Sequence, residues 1–274
     1  MTPNLLLFFI SMVISIQDGS SSPAEVPAKE NHWPKGAIEA LNRIRTPEGI
    51  SKRIIAAGDL VRDPVAFAVD AQGRAYVCES ERQEFGVEDN RSSPFWLQDD
   101  LALQTVDDRL AMYEKHQDRR ENGMGYYSAR EDRLTCLSDS DGDGMMDTVR
   151  PFTDPFSEPL DGTLAGVLVD EGTAWITNIP HLWIATDADQ DGRAESRRSA
   201  QRGFGVRIAL RGHDMHGLVR GPDGRIYFSI GDRGFYLETA DGRLIHDAGS
   251  GAVFRCEPDG SDLEVVHVGL RNPQ

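Results

Sequence analysis

Three segments of this chain repeat one pattern, and the repeat restricts the fold more than any other feature of its 274 residues. Residues 66–78, 166–177 and 217–229 each read as an apolar run, a turn containing Gly or Asp, and a second apolar run. An aromatic residue (Tyr76, Trp175 or Tyr227) sits in the second run. Apolar alternation on both sides of a tight turn is the signature of a β-hairpin. A second hairpin follows each one. These are Arg133–Leu137 with Thr148–Phe152, Leu182–Ala185 with a strand ending near Arg198, and Ala252–Cys256 with Leu263–Val268. The repeating unit is therefore four strands. Trp175 and Tyr227 stand 52 residues apart, and Asp139 and Asp187 stand 48 apart. Four strands recurring at this interval describe a propeller blade. The expectation is an all-β chain in which residues 54–274 form about three blades of a β-propeller.

The first period is longer. Tyr76 and Trp175 are 99 residues apart, one period plus an insertion placed at 85–130. Leu103, Val106, Leu110 and Tyr113 recur at helical spacing, which predicts one amphipathic helix over 99–113. It serves either as a packing cover or as a lid or docking surface on the propeller. Propellers close with typically about 4 to 8 blades, so the sequence is expected to be a piece of a longer chain.

Composition narrows the function. Lys and Arg total 29 against 45 Asp and Glu, a net charge of −16. No basic stripe exists to hold a phosphate backbone, which argues against nucleic acid as a partner. Three cysteines, Cys78, Cys136 and Cys256, cannot form a disulfide framework and are expected to be buried on strands. Leu5 to Ile16 is an apolar run too short to span a bilayer, followed by the small residues Gly19 to Ser22. Residues 1–22 are therefore expected to be a signal peptide, although the first four residues carry no Lys or Arg. A short anchor is the competing reading. Residues 23–53 read as a polar linker, and the destination as periplasmic or secreted.

The third repeat holds the chemistry. In the run from Gly212 to Gly234, His213 and Asp232 are equidistant from the turn centre between Pro222 and Asp223, so a regular hairpin places them opposite each other. A carboxylate beside an imidazole fixes its tautomer and raises its basicity, as an oriented general base requires. Mirror positions in the other two hairpins hold Asp63 and Ser80, then Leu164 and Asn178, so the fold does not itself demand the pair. The alternative is a hydrogen bond that ties off a strand end. His216 lies at an odd separation from His213 in extended chain, which points it to the other face as a packing residue. Two loops, Asp139-Ser-Asp141-Gly-Asp143-Gly-Met-Met-Asp147 and Asp187-Ala-Asp189-Gln-Asp191-Gly-Arg-Ala-Glu195, repeat acidic residues at alternate positions before a glycine. This is the pattern of a Ca²⁺ loop or of a rigid hairpin turn. Arg150 and Arg198 stand where an EF-hand has its twelfth, acidic ligand.

The third repeat resembles the soluble quinoprotein glucose/sorbosone dehydrogenases, six-bladed propellers that use pyrroloquinoline quinone (PQQ). The matching pieces are His213, the Gly-Pro-Asp-Gly turn, Ile-Tyr-Phe-Ser-Ile-Gly-Asp232 and the terminal Gly-Leu-Arg-Asn-Pro-Gln. From about Ile54 onward the chain is also similar to membrane-bound-dehydrogenase-like propellers of planctomycete-type bacteria. That likeness rests on its Asp-Asp-Leu-Ala, Ser-Asp-Ser-Asp-Gly-Asp-Gly and Gly-His-Asp-Met-His-Gly motifs. The resemblance implies a sugar or alcohol dehydrogenase. His213 would take the hydroxyl proton, Asp232 would orient it, and Arg271 and Asn272 would contact the quinone. Ca²⁺ and a cytochrome c electron acceptor are implied as well. Where that family has a Gly-Gln…Gly-Leu-Leu-Gly segment, this chain has Asp161-Gly-Thr-Leu-Ala-Gly166, without the glutamine. Two other functions stay open: a non-catalytic propeller that binds carbohydrate or protein, and a metal-dependent lactonase.

Overall fold

A computed structural model describes residues 9–11, 33–83 and 85–274. The predicted signal segment lies outside the described residues except at 9–11. The chain divides into two compact units, residues 1–63 with 137–149, and residues 64–136 with 150–274.

In the smaller unit, β1 (Phe9–Ser11) pairs antiparallel with β2 (Arg53–Ala56). The segment read as linker contains a helix, α1 (Lys35–Arg43). Its Ala37, Ile38 and Leu41 fall on one face and pack with Ile54 and Ala57. A cavity of ≈ 830 Å³ in this unit is lined by Trp33, Leu60, Met145 and Met146 together with Asp141 and Asp147.

The larger unit is built on three four-stranded antiparallel sheets. The first contains β3 (Pro64–Val69), β4 (Ala75–Ser80), β5 (Asp132–Ser138) and β6 (Thr148–Pro151) in that order. Between β4 and β5 lie α2 (Leu97–Ala102) and α3 (Val106–Lys115). The second sheet is the meander β7 (Gly166–Asp170), β8 (Thr173–Asn178), β9 (His181–Thr186) and β10 (Ser196–Arg202). In the third, β11 (Met215–Arg220) and β12 (Ile226–Ile230) are followed by a separate hairpin, β13 (Phe235–Glu238) with β14 (Leu244–Asp247). The sheet is completed by β15 (Gly251–Cys256) and β16 (Glu264–Leu270). The four-strand repeat read from the sequence is thus present three times. The β13–β14 hairpin is an addition that the repeat did not announce.

The expected single helix over 99–113 is two helices. Thr105 breaks it, because its side chain accepts from the Asp108 backbone N–H while Asp108 reaches back to the Thr105 N–H, a capping box that starts α3 afresh. Leu103, Val106 and Tyr113 are buried as their spacing implied.

Strands of the second sheet are apolar on both faces because each face meets another sheet. On β8 and β9, Trp175, Leu182 and Ile184 pack with Phe228, Phe254 and Met215 of the third sheet. Ala174, Ile176 and Ala185 pack with Tyr76, Cys78, Leu134 and Cys136 of the first. Period-two alternation sends neighbouring residues into different cores. Phe204, Phe228, Phe235 and Phe254 form an aromatic cluster with ring centroids 5.0–5.5 Å apart. All three cysteines are buried and unpaired on β4, β5 and β15. Burial pushes the Cys256 thiol up to about 12.

Candidate functional site

His213 enters β11 and Asp232 leaves β12. His213 Nδ1 and Asp232 Oδ1 are 2.6 Å apart. The mirror argument holds through two offsets that cancel. Arg220 faces Ile226 and Val219 faces Tyr227, which centres the turn on Asp223. One extra residue in β11 between His216 and Val219, where Gly217 takes φ +67°, then returns the register to Met215 opposite Ile230. Gly231 must lack a side chain. A Cβ there would stand 2.8 Å from both His213 Cβ and His213 O, and 3.0 Å from Arg271 O.

An ionised carboxylate accepts from Nδ1–H, so the lone pair of His213 sits on Nε2. Among the described residues nothing bonds to that nitrogen. His213 is 7 % exposed at its side chain and Asp232 31 %. His216 takes no part. Its Nε2–H donates to Gly212 O at 2.9 Å and closes a local turn.

The sequence reading missed the neighbouring pair. Asp214 and Arg233 are 0 % and 1 % exposed, with Arg233 Nη1 2.5 Å from Asp214 Oδ1. Arg233 Nε donates to Arg207 O, and Asp214 Oδ2 has no hydrogen-bond partner among the described residues. Breaking a buried pair of this kind leaves one charge uncompensated and costs about 3–5 kcal/mol. The sequence carries a signal for it: Gly-His-Asp-Met and Gly-Asp-Arg-Gly each hold two polar residues side by side, so a second pair, shifted by one residue, stands next to the first.

The backbone of Arg271 reaches the same place. The Asp232 N–H donates to Arg271 O at 2.8 Å, and Ser229 Oγ donates to Pro273 O at 2.8 Å. The Arg271 guanidinium is exposed, with no partner among the described residues. Asn272 Oδ1 is buried and has no hydrogen-bond partner among the described residues. An exposed guanidinium can pair with an anion, whereas a buried amide oxygen asks for a hydrogen-bond donor. A second cavity, ≈ 420 Å³, lies along Gly217, Val219, Tyr227, Val253 and Pro273 and does not include His213.

The acidic loops occupy equivalent connections, β5 to β6 and β9 to β10, and share one hydrogen-bond pattern. Asp139 accepts from the Gly142 and Gly144 N–H groups, and Asp187 accepts from those of Asp191 and Gly192. Asp147 and Glu195 reach back to the Ser140 and Ala188 N–H groups. Carboxylate oxygens of Asp187, Asp189, Asp191 and Glu195 lie within 4.8 Å of one another, as do those of Asp139, Asp141 and Asp147. Asp143 stands apart from this set and accepts from the Met145 N–H. Arg74 Nη1 lies 3.6 Å from Asp187 Oδ2, and burial raises the Asp187 carboxyl. The oxygen donors fit a hard divalent cation.

A family model described as a domain of unknown function, DUF7133, matches residues 37–273. No curated protein matches the sequence. Among solved structures, the chain is similar to a protein from Lactobacillus plantarum at 12% identity and TM-score 0.36, over 82% of this chain and 60% of that one. It is also similar to a Hadza microbial sialidase at 12% identity and TM-score 0.36, over 83% and 43%. A third structure, a candidate 6-phosphogluconolactonase from Bacteroides fragilis NCTC 9343, matches at 10% identity and TM-score 0.33, over 80% and 74%. The chain thus spans 60% and 43% of the lengths of the first two.

Proposed function

We propose, for a chain that belongs to the DUF7133 family of domains of unknown function, that its three sheets are successive blades of a propeller and that His213 is the base of a sugar or alcohol dehydrogenase. The observation that carries this reading is the 2.6 Å contact between His213 Nδ1 and Asp232 Oδ1, which leaves Nε2 to receive a proton. Oxidation of a CH–OH group releases a hydride from carbon and a proton from oxygen. The proton passes to His213 Nε2, and Asp232 steadies the imidazolium that results. Arg271 and Asn272 would hold PQQ, which would supply the hydride acceptor. Ca²⁺ belongs to this reading as the cation of the acidic loops, an exported location as the place where it acts, and a cytochrome c as the onward electron acceptor.

The test uses the full-length protein with PQQ, Ca²⁺ and a redox dye. His213→Ala should lower sugar oxidation by about 10²–10⁴-fold, the usual cost of losing a general base. Asp232→Asn should cost less, because the imidazole remains. Wild-type protein that oxidises no sugar or alcohol and binds no quinone would defeat the proposal. One observation favours a second reading, a propeller that binds carbohydrate or protein without chemistry: the ≈ 420 Å³ cavity along Gly217, Tyr227 and Pro273 is not lined by His213. Glycan binding that survives His213→Ala would support it.

A further inference from the structure

The helical insertion is built onto the segment that delivers His213. Residues 206–212 form no strand, and two of them hold left-handed backbone conformations, Ala209 at φ +46° and Gly212 at φ +83°. For alanine that conformation is strained and persists only where neighbours enforce it. The neighbours are residues 89–106. Asp100, on α2, is 1 % exposed. Its Oδ1 accepts from the Ile208 N–H and its Oδ2 from Asn90 Nδ2, both at 2.6 Å. The Asn90 N–H donates to Ala209 O at 3.2 Å. Asp89, also 1 % exposed, accepts the Arg211 N–H at 3.0 Å. Arg91 holds the Asp89 carboxyl below the usual carboxylate range. Val206 and Ile208 are fully buried against Trp96, Leu103 and Val106. The last link is local: the His213 N–H donates to Leu210 O at 3.2 Å.

We propose that Asp89 and Asp100 are positioning residues, which fix residues 206–212 so that the His213 ring stays on Asp232. The insertion is then part of the site's machinery, and its two buried carboxylates act at a distance through backbone N–H groups. The idea rests on the reading of His213 as a base, but its test observes the imidazole directly.

The full chain, labelled with ¹⁵N-histidine, is examined by long-range ¹H–¹⁵N correlation, and the His213 signals are assigned with His213→Gln. Wild-type protein should show a single tautomer protonated at Nδ1. Asp100→Ala should abolish the Nδ1–H signal and average the two ring nitrogens. Asp100→Asn, which keeps an acceptor for the Ile208 N–H, should restore both. Thr105→Ala removes the α3 cap without touching residues 206–212, and it should leave His213 as in wild type. Should Asp100→Ala not fold, Asp89→Ala, which removes the acceptor of the Arg211 N–H, takes its place, with line broadening at His213 the expected result in a folded protein. Unchanged His213 signals in the alanine variants of the aspartates overturn the proposal, and so does an equal loss in Thr105→Ala. An intact positioning effect in a protein whose activity ignores His213→Ala would sink the dehydrogenase reading and leave this one standing.

Discussion

Asp161 is held as an acid that folding disfavours in its charged form. It is 6 % exposed, and burial pushes its carboxyl up from 3.8 to about 6. Two features keep it from rising further: the Glu158 N–H donates to Oδ2 at 2.9 Å, and Arg82 lies close by. The gap between 3.8 and about 6 corresponds to about 3 kcal/mol at ~1.36 kcal/mol per tenfold change. The folded-state value is the higher one, so the folded chain binds more protons here than the unfolded chain does. The benefit of a neutral Asp161 is complete below pH 3.8, declines as pH rises through about 6, and is absent above that. Asp161→Asn keeps the volume and an acceptor for the Glu158 N–H while removing the ionisation. The variant should match wild type near pH 4 and exceed it by about 3 kcal/mol at pH 7.5, or roughly 6–12 °C in melting temperature. Thermal melts of both proteins across that range, followed by circular dichroism, provide the measurement. A gap that stays constant from pH 4 to 7.5 refutes the reasoning, because it means that Asp161 ionises normally in the fold.

Further outcomes follow from other sites. His181 is lowered to about 4, first by burial and then by Arg202 and Arg197; His181→Gln should therefore lose less stability than wild type as pH falls from 6.5 to 4. Phe254→Ala empties the centre of the aromatic cluster between the second and third sheets, and urea unfolding should register a loss of about 3–5 kcal/mol. Isothermal calorimetry with Ca²⁺ should show uptake that Asp189→Ala weakens; absence of heat at millimolar Ca²⁺ leaves those loops as hairpin turns only. Gly231→Ala forces a methyl group into the backbone of His213 and Arg271, and crystallography should find the 2.6 Å His213–Asp232 contact broken.

What the sequence revealed was local. Hairpins such as 66–78 and 217–229 announce themselves because alternation and turn chemistry act over a few residues. The break at Thr105 is hidden because apolar spacing runs through it, and the Thr-x-x-Asp cap that makes the break is a signal of four residues set against a period of fifteen. His213 and Asp232 were legible because they share a hairpin. Asp100 and Asp89 were not, since their partners Ile208 and Arg211 lie 108 and 122 residues away, and only the folded chain joins them. Asp214 and Arg233 are mirrored about a centre one residue beyond that of His213 and Asp232, because the extra residue in β11 gives the hairpin more than one centre of symmetry.

The three buried thiols distribute themselves in a way that experiment can exploit. Cys78 and Cys136 sit in the core shared by the first two sheets, and Cys256 sits in the core shared by the second and third. None can meet a water-borne alkylating reagent until its own interface parts. Labelling rates, resolved by mass spectrometry, would therefore act as two independent clocks, one for each seam of the molecule. Equal rates would mean that the sheets separate in one concerted event; unequal rates would name the seam that yields first.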